Sequence, residues 1–180
     1  MGILELLGLR GAQAPDSGSS AETAAVRKIA ASLDRLDPDQ ARYVAAFAYV
    51  LGRVAHADLE ITDEESLEME RIVRANGGLS EEQAVLVVQI AKTQALLFGG
   101  TENFLVTREF NEIADRDQKL ALLECLFAVS SADGGVSTVE ANVIRQIADE
   151  LKLDHRDYVA VRSRYRDRLD VLRRDGDDAP

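Results

Sequence analysis

The sequence predicts an all-α fold, a compact irregular helical bundle of about eight helices with an internal pseudo-symmetric duplication. Three observations predict it. Of the 180 residues 46% are hydrophobic, and most of these are Ala, Leu, Ile and Val set among Glu, Gln, Arg and Lys, with three prolines and no tryptophan. That is a helix-forming vocabulary rather than a strand-forming one. Apolar residues recur at helical spacing between recognisable start and stop signals. Finally, one acidic phrase occurs twice in the same helix–turn–helix context.

The elements follow in order. Met1–Arg10 is a short amphipathic segment, and residues 11–21 (GAQAPDSGSSA) form a flexible linker ahead of one helical domain over residues 22–174. Val26, Ile29, Leu33 and Leu36 mark a first helix over Glu22–Leu36. Asp37-Pro38 stops it and opens the next, Asp37 as a cap and Pro38 in the first turn. This second helix, Pro38–Ala57, is apolar on nearly every side and belongs at the centre. A turn through Asp58–Ile61 leads to a helix over Thr62–Ala75, ended by Asn76-Gly77-Gly78. Ser80 and Gln83 make a capping box for a long helix that stops at Gly99-Gly100. A helix over Thr101–Ala114 carries Phe104, Phe110 and Ile113. Asp115 or Asp117 then caps a second central helix, reaching Ser131 through LALLECLFAV. Ser137–Leu151 and Asp154–Arg174 are the last two helices, the latter with Tyr158, Val161, Tyr165, Leu169 and Leu172 on one stripe. Residues 175–180 are expected to be a disordered tail.

Composition narrows the function. The formal net charge is -11, from 32 acidic and 21 basic side chains. Such a balance disfavours a nucleic-acid backbone as partner, since that affinity rests on Lys and Arg neutralising phosphates. It suits divalent cations or a basic protein. Cys125 is the single cysteine, expected as a core thiol, and one cysteine forms no disulfide within the chain. No secretory signal and no transmembrane run are visible, so a cytoplasmic location is expected. The last helix has another character, with Arg156, Arg162, Arg164, Arg166 and Arg168 among Asp157 and Asp167.

The repeat relates units around residues 38–76 and 116–153. Asp58 falls on Asp133, Ile61 on Val136, Thr62 on Ser137, Glu65 on Glu140, Met69 on Ile144 and Ile72 on Ile147. A duplicated unit predicts that the halves pair central helix to central helix, which would carry both acidic loops toward one surface. The shared phrase is Asp-x-x-(Ile/Val)-(Thr/Ser)-x-x-Glu. Its first meaning is structural: Thr62 with Glu65, and Ser137 with Glu140, are capping boxes. Its second meaning starts from the spacing of a calcium-binding loop, in which Asp133, Gly134, Val136 and Glu140 match the second half. The first half fails, because Val129 and Ser131 (Val54 and His56 in the other copy) occupy the leading ligand positions. A full EF-hand is therefore rejected, while a smaller oxygen-ligand site stays open. The first copy is the more acidic, with Glu60, Asp63, Glu64 and Glu68 around it.

The doubled phrases VAHADLEITDEE (Val54–Glu65) and VSSADGGVSTVE (Val129–Glu140) resemble the TerB-like tellurite-resistance family, and also the N-terminal domain of membrane-bound DnaJ-type co-chaperones. The family pattern is an apolar helix running into Ala-Asp-Gly, an aliphatic residue, a small hydroxyl residue and glutamate. The second copy follows it, and the first has Leu59 at the glycine position. The resemblance implies an all-helical pseudo-symmetric fold, a link to tellurite and other chemical stress, and metal ligands at Asp58, Glu65, Asp133 and Glu140.

The expected function is thus a non-enzymatic stress-response or envelope-associated interaction domain. It would engage another protein through Glu60, Asp63, Glu64 and Glu68, with a divalent metal (calcium, magnesium, manganese or zinc) at the acidic loops. Any membrane association would be peripheral and through that partner. No catalytic nucleophile motif is present. The alternatives are a metal-dependent hydrolase using the clustered carboxylates, and a metal-independent interaction module.

Overall fold

Pro38 and Asp37 set the register of the whole bundle, because together they begin the helix on which most others rest. The computed structural model describes residues 20–55, 61–97, 103–132 and 134–169. The N-terminal segment, most of the linker, Asp58, Glu60, Asp133 and the tail lie outside the described residues. Among those described there are eight α-helices and no strand: α1 (Ser20–Leu33), α2 (Pro38–Ala55), α3 (Asp63–Asn76), α4 (Glu81–Leu97), α5 (Asn103–Ile113), α6 (Arg116–Ser130), α7 (Thr138–Glu150) and α8 (His155–Arg164). The predicted all-α bundle is the observed one.

The local signals work as chemistry. The Asp37 carboxylate accepts the N–H groups of Asp39 and Gln40 at 3.1 and 3.0 Å, capping α2. Ser80 and Gln83 exchange bonds of 3.0 and 3.2 Å at the start of α4. Asp115 and Gln118 do the same for α6 at 2.9 and 2.8 Å. At the end of α3, Gly77 keeps a right-handed helical conformation and Gly78 turns left-handed at φ 64°. Gly78 needs the conformational freedom that a side chain would remove, while at Gly77 a Cβ would meet the Val73 carbonyl oxygen at 2.6 Å.

Helix α2 is buried along its length, with Val44, Phe47, Val50 and Leu51 wholly inside. It packs against α4, α5, α6 and α7. Its counterpart α6 buries Leu122, Leu123, Leu126 and Phe127 and packs against α2, α3, α7 and α8. The two apolar helices thus meet, as the duplication predicts. The exchange is reciprocal: α3 of the first unit lies on α6, and α7 of the second lies on α2. Each fully buried large apolar side chain contributes about 1.5–3 kcal/mol, so neither unit retains its core without the other. Aromatic contacts hold the outer helices, Tyr43 with Phe110 at 5.4 Å and Phe127 with Tyr165 at 5.6 Å.

Two helix ends differ from expectation: the first helix stops at Leu33 rather than Leu36, and the last differs more. The last helix stops at Arg164 rather than continuing to Arg174, and a 3-10 turn over Arg166–Arg168 follows. Tyr165 leaves the helical region (φ -105°, ψ 14°) with its hydroxyl 2.9 Å from a Glu124 carboxylate oxygen. Beyond it Leu169 is extended and buried, paired with Val136 in an isolated parallel bridge. The Val136 N–H donates to the Arg168 carbonyl at 2.7 Å. Burying Leu169 and satisfying the loop amide replaces the helical bonds that continuation would have formed. The unwound segment ties the second acidic loop to the end of α8.

Candidate functional site

Both copies of the acidic phrase begin a helix in the same way. The Thr62 N–H donates to Glu65 Oε2 at 2.6 Å, and the Glu65 N–H donates to Thr62 Oγ1 at 3.2 Å. The Ser137 N–H donates to Glu140 Oε2 at 2.8 Å, and the Glu140 N–H donates to Ser137 Oγ at 3.2 Å. Ile61 and Val136, one residue earlier, are buried and anchor each loop to the core. In the second loop Gly134 takes φ 130°, a backbone open to glycine and strained for other residues.

The reciprocal packing brings these two helix starts to one place. Glu65 of α3 and Glu140 of α7 line the same cavity, of about 270 Å³, together with Glu64 and Glu68. Val54, Ile61, Met69 and Val129 supply apolar wall, and Ala55, Ser130 and Ala132 complete the lining. Among the described residues, none that lines the cavity is basic. The hydroxyl of the lining residue Ser130 is itself closed to solvent and makes no hydrogen bond among the described residues. A buried hydroxyl without a partner costs about 1–3 kcal/mol.

The predicted residues divide accordingly. Glu65, Glu140, Glu64 and Glu68 come together at the cavity. Asp63 does not line it; its carboxylate accepts from Lys92 Nζ at 2.7 Å. Glu68 is shared with Arg71 through bonds of 2.9 and 2.5 Å. Asp58, Asp133 and Glu60 lie outside the described residues. Among those described, no three His, Cys, Asp or Glu side chains are grouped to hold a metal ion. Glu65 and Glu140 therefore supply two of the four expected ligands to one cavity and do not complete a coordination sphere by themselves.

The local electrostatics hold these carboxylates in their charged form. The Thr62 backbone N–H, and then its hydroxyl, hold the Glu65 carboxyl below its ordinary value. Lys92 lowers Asp63, and Arg71 lowers Glu68. A general base works best with a pKa near the operating pH, and shifts in this direction move away from it. Cys125 is fully buried in α6, its thiol pushed up to about 12 by burial and by nearby Glu124. It is a core group.

Two features escaped the sequence reading. Arg53 of α2 donates to Glu150 of α7 at 2.5 Å and to the Thr107 hydroxyl of α5 at 2.6 Å. Its side chain is 7% exposed and that of Glu150 12% exposed, so this is an interior ion pair. The other is Ser130, whose only sequence signal is a hydroxyl residue closing an apolar run. The arginine-bearing C-terminal stretch is tied to the second unit: Arg164, at the end of α8, pairs with Glu124 at 2.8 Å, and Arg168, in the 3-10 turn, donates to the Ser131 carbonyl at 3.0 Å. Asp157 of the same helix pairs with Arg116 at 2.6 Å.

The family model for tellurite resistance protein TerB matches residues 44–163, more than half of the chain. The chain belongs to the TerB family. The TerB match runs from within α2 to within α8 and contains both capping boxes and every lining residue of the cavity. No curated protein and no solved structure matches the chain. Family membership associates the chain with tellurite resistance. Among the described residues, no helix is long and apolar enough to cross a membrane.

Proposed function

We propose that this TerB-family chain is a non-enzymatic interaction domain, acting in a stress-response or envelope-associated assembly, whose acidic cavity takes a cationic group of a protein partner. The carrying observation is that Glu65 and Glu140, equivalent residues of two repeats, line one cavity with Glu64 and Glu68 and, among the described residues, with no basic one. Like-signed charges gathered beside low-dielectric walls concentrate the field and attract the opposite charge. Lowered carboxyls at Glu65 and Glu68 keep that charge in place at neutral pH.

The test is fluorescence anisotropy with a labelled peptide of alternating leucine and basic residues, half lysine and half arginine. Saturable binding is expected, weakening with salt and falling on the order of ten-fold in an E64K/E68K variant, the factor that 1.4 kcal/mol represents. Neither Glu64 nor Glu68 is a capping residue, so the variant keeps its helix starts. Affinity untouched by the charge reversal would end this reading.

The metal-assisted form of the reading adds a divalent ion, held by Asp58 and Asp133 with the oxygens of Glu65 and Glu140 that the capping amides leave free. The convergence of Glu65 and Glu140 supports it. Calorimetric titration with calcium, magnesium, manganese and zinc, repeated on D58N/D133N, tests it. Saturable binding lost in the double variant is the expected result, and no binding to the unmodified chain removes the metal while leaving the interaction domain.

A further inference from the structure

The chain past α8 takes a conformation that its own sequence does not ask for. No glycine or proline occurs between Asp154 and Asp175, and the stripe of Tyr158, Val161 and Tyr165 runs on to Leu169 and Leu172 at helical spacing. Arginine and leucine, which make up most of residues 162–174, are good helix formers. The helix nevertheless ends at Arg164, and Leu169 is drawn onto Val136 and buried there at 2% exposure. A local preference overruled by a distant contact marks a place where two packings compete.

The two packings lie close together in conformation. Arg166–Arg168 already form a 3-10 turn, near the α-helical region. Tyr165, at φ -105° and ψ 14°, is a short rotation from it, so the main change falls on Leu169, extended at φ -84° and ψ 117°. Tyr165 is the anchored end, stacked on Phe127 at 5.6 Å and bonded to Glu124 at 2.9 Å. The far end grips the second acidic loop from both sides. The Arg168 carbonyl accepts the Val136 N–H at 2.7 Å, and the Arg168 guanidinium donates to the Ser131 carbonyl at 3.0 Å. Ser130 and Ala132 at the start of that loop, and Glu140 after it, line the acidic cavity. A helix start does not need this grip. Thr62 and Glu65 form the same capping box, and among the described residues Ile61, the counterpart of Val136, has no bridge.

We infer that Tyr165–Leu169 is a two-state latch, either bridged onto the second acidic loop or continuing α8 through Leu169, and that the bridged state holds the cavity in its binding form. This rests on the reading of the cavity as the domain's binding site and adds its regulation. One residue, Arg168, holds Ser131 and Val136 together, so docking of the latch fixes Ser130 and Ala132 relative to Glu140. A partner seated in the cavity favours the bridge, and the bridge favours the partner by the same factor. Capture of the C-terminal stretch in helical form releases the loop and weakens the cavity.

The test compares the full chain with Leu169→Ala, which removes the buried anchor, and Arg168→Ala, which removes the grip on Ser131 and leaves the core intact. Helicity is read by far-ultraviolet circular dichroism, exchange of the Val136 amide by NMR, and binding by anisotropy with the leucine-and-basic peptide above. Both variants are expected to gain helical signal and to exchange faster at Val136, with Val50 in α2 unchanged. Both should bind the peptide on the order of five-fold more weakly, and saturating peptide should slow Val136 exchange in the unmodified chain by a similar factor. Charge alone predicts the opposite for Arg168→Ala, since loss of a positive residue strengthens attraction for a basic peptide. If Leu169→Ala unfolds, Arg168→Ala decides the matter. Faster Val136 exchange without a gain in helicity describes a fraying end and overturns the latch. Unchanged peptide affinity in the folded variants overturns its coupling to the cavity. A peptide that fails to bind the unmodified chain removes the reading of the cavity, while helicity and Val136 exchange still decide whether the latch has two states.

Discussion

Thr62, Glu65, Ser137 and Glu140 each serve a helix before they serve a ligand, and their energetics can be separated. Removing the hydroxyl in Thr62→Ala or Ser137→Ala leaves an N-terminal amide unsatisfied and is expected to cost about 1 kcal/mol in each case, measured by urea denaturation. The Glu65 contribution depends on pH. Its folded-state carboxyl is lowered, first by the Thr62 backbone N–H, so its stabilisation is present above the unfolded value of about 4.3 and is lost as pH falls through the folded value. The stability gap between the unmodified chain and Glu65→Ala should thus be full at neutral pH and close progressively in acid. A gap that widened on acidification would contradict the cap. Gly134 offers a different test at this scale. At φ 130° a Cβ meets no neighbouring atom, so the cost of Gly134→Ala is conformational alone, about 1–3 kcal/mol. These residues were legible in the sequence because a cap is a contact across three residues. Ser130 was not, since its lack of a partner depends on what α2, α3 and α7 place around it.

At the scale of elements, Arg53 ties α2 to both α5 and α7. Burial raises the Glu150 carboxyl, and the hydrogen bond and charge of Arg53 then more than reverse that, leaving it lowered. Breaking such a pair from one side strands a charge in the interior. Arg53→Met is expected to cost about 3–5 kcal/mol, whereas Arg53→Met with Glu150→Met together should recover most of it. A double-mutant cycle in denaturant measures the coupling, and a double variant no better than the single one would show that packing rather than charge sets the cost. Helix existence and order were readable because caps, prolines and apolar spacing lie within each element. The end of α8 was not: its apolar stripe continues to Leu169, yet the backbone unwinds to meet Val136, a partner on another element. The pairing of Arg53 with Glu150 was hidden for the same reason, since 97 positions of chain separate the two residues.

For the whole molecule, the duplication matters because the units do not merely sit side by side. Helix α3 covers α6 while α7 covers α2, so each unit finishes the core of the other. Sequence periodicity exposed the two units and their equivalent residues, but the cavity exists only through this crossing, which no local pattern encodes. The arrangement predicts one cooperative unfolding transition rather than two. Thr62→Ala and Ser137→Ala, in different units, should each shift that same transition, and the double variant should lose their sum, about 2 kcal/mol, because the two caps share no hydrogen bond. Calorimetry with matching calorimetric and van't Hoff enthalpies is the measurement. Two separable transitions, each sensitive to only one cap, would mean that the units fold independently. In that case the cavity between them would be a contact that opens without unfolding, and ligand binding would raise the temperature at which the units part. With a single transition, a ligand seated between Glu65 and Glu140 stabilises the entire fold by mass action, and both caps set the geometry of one site.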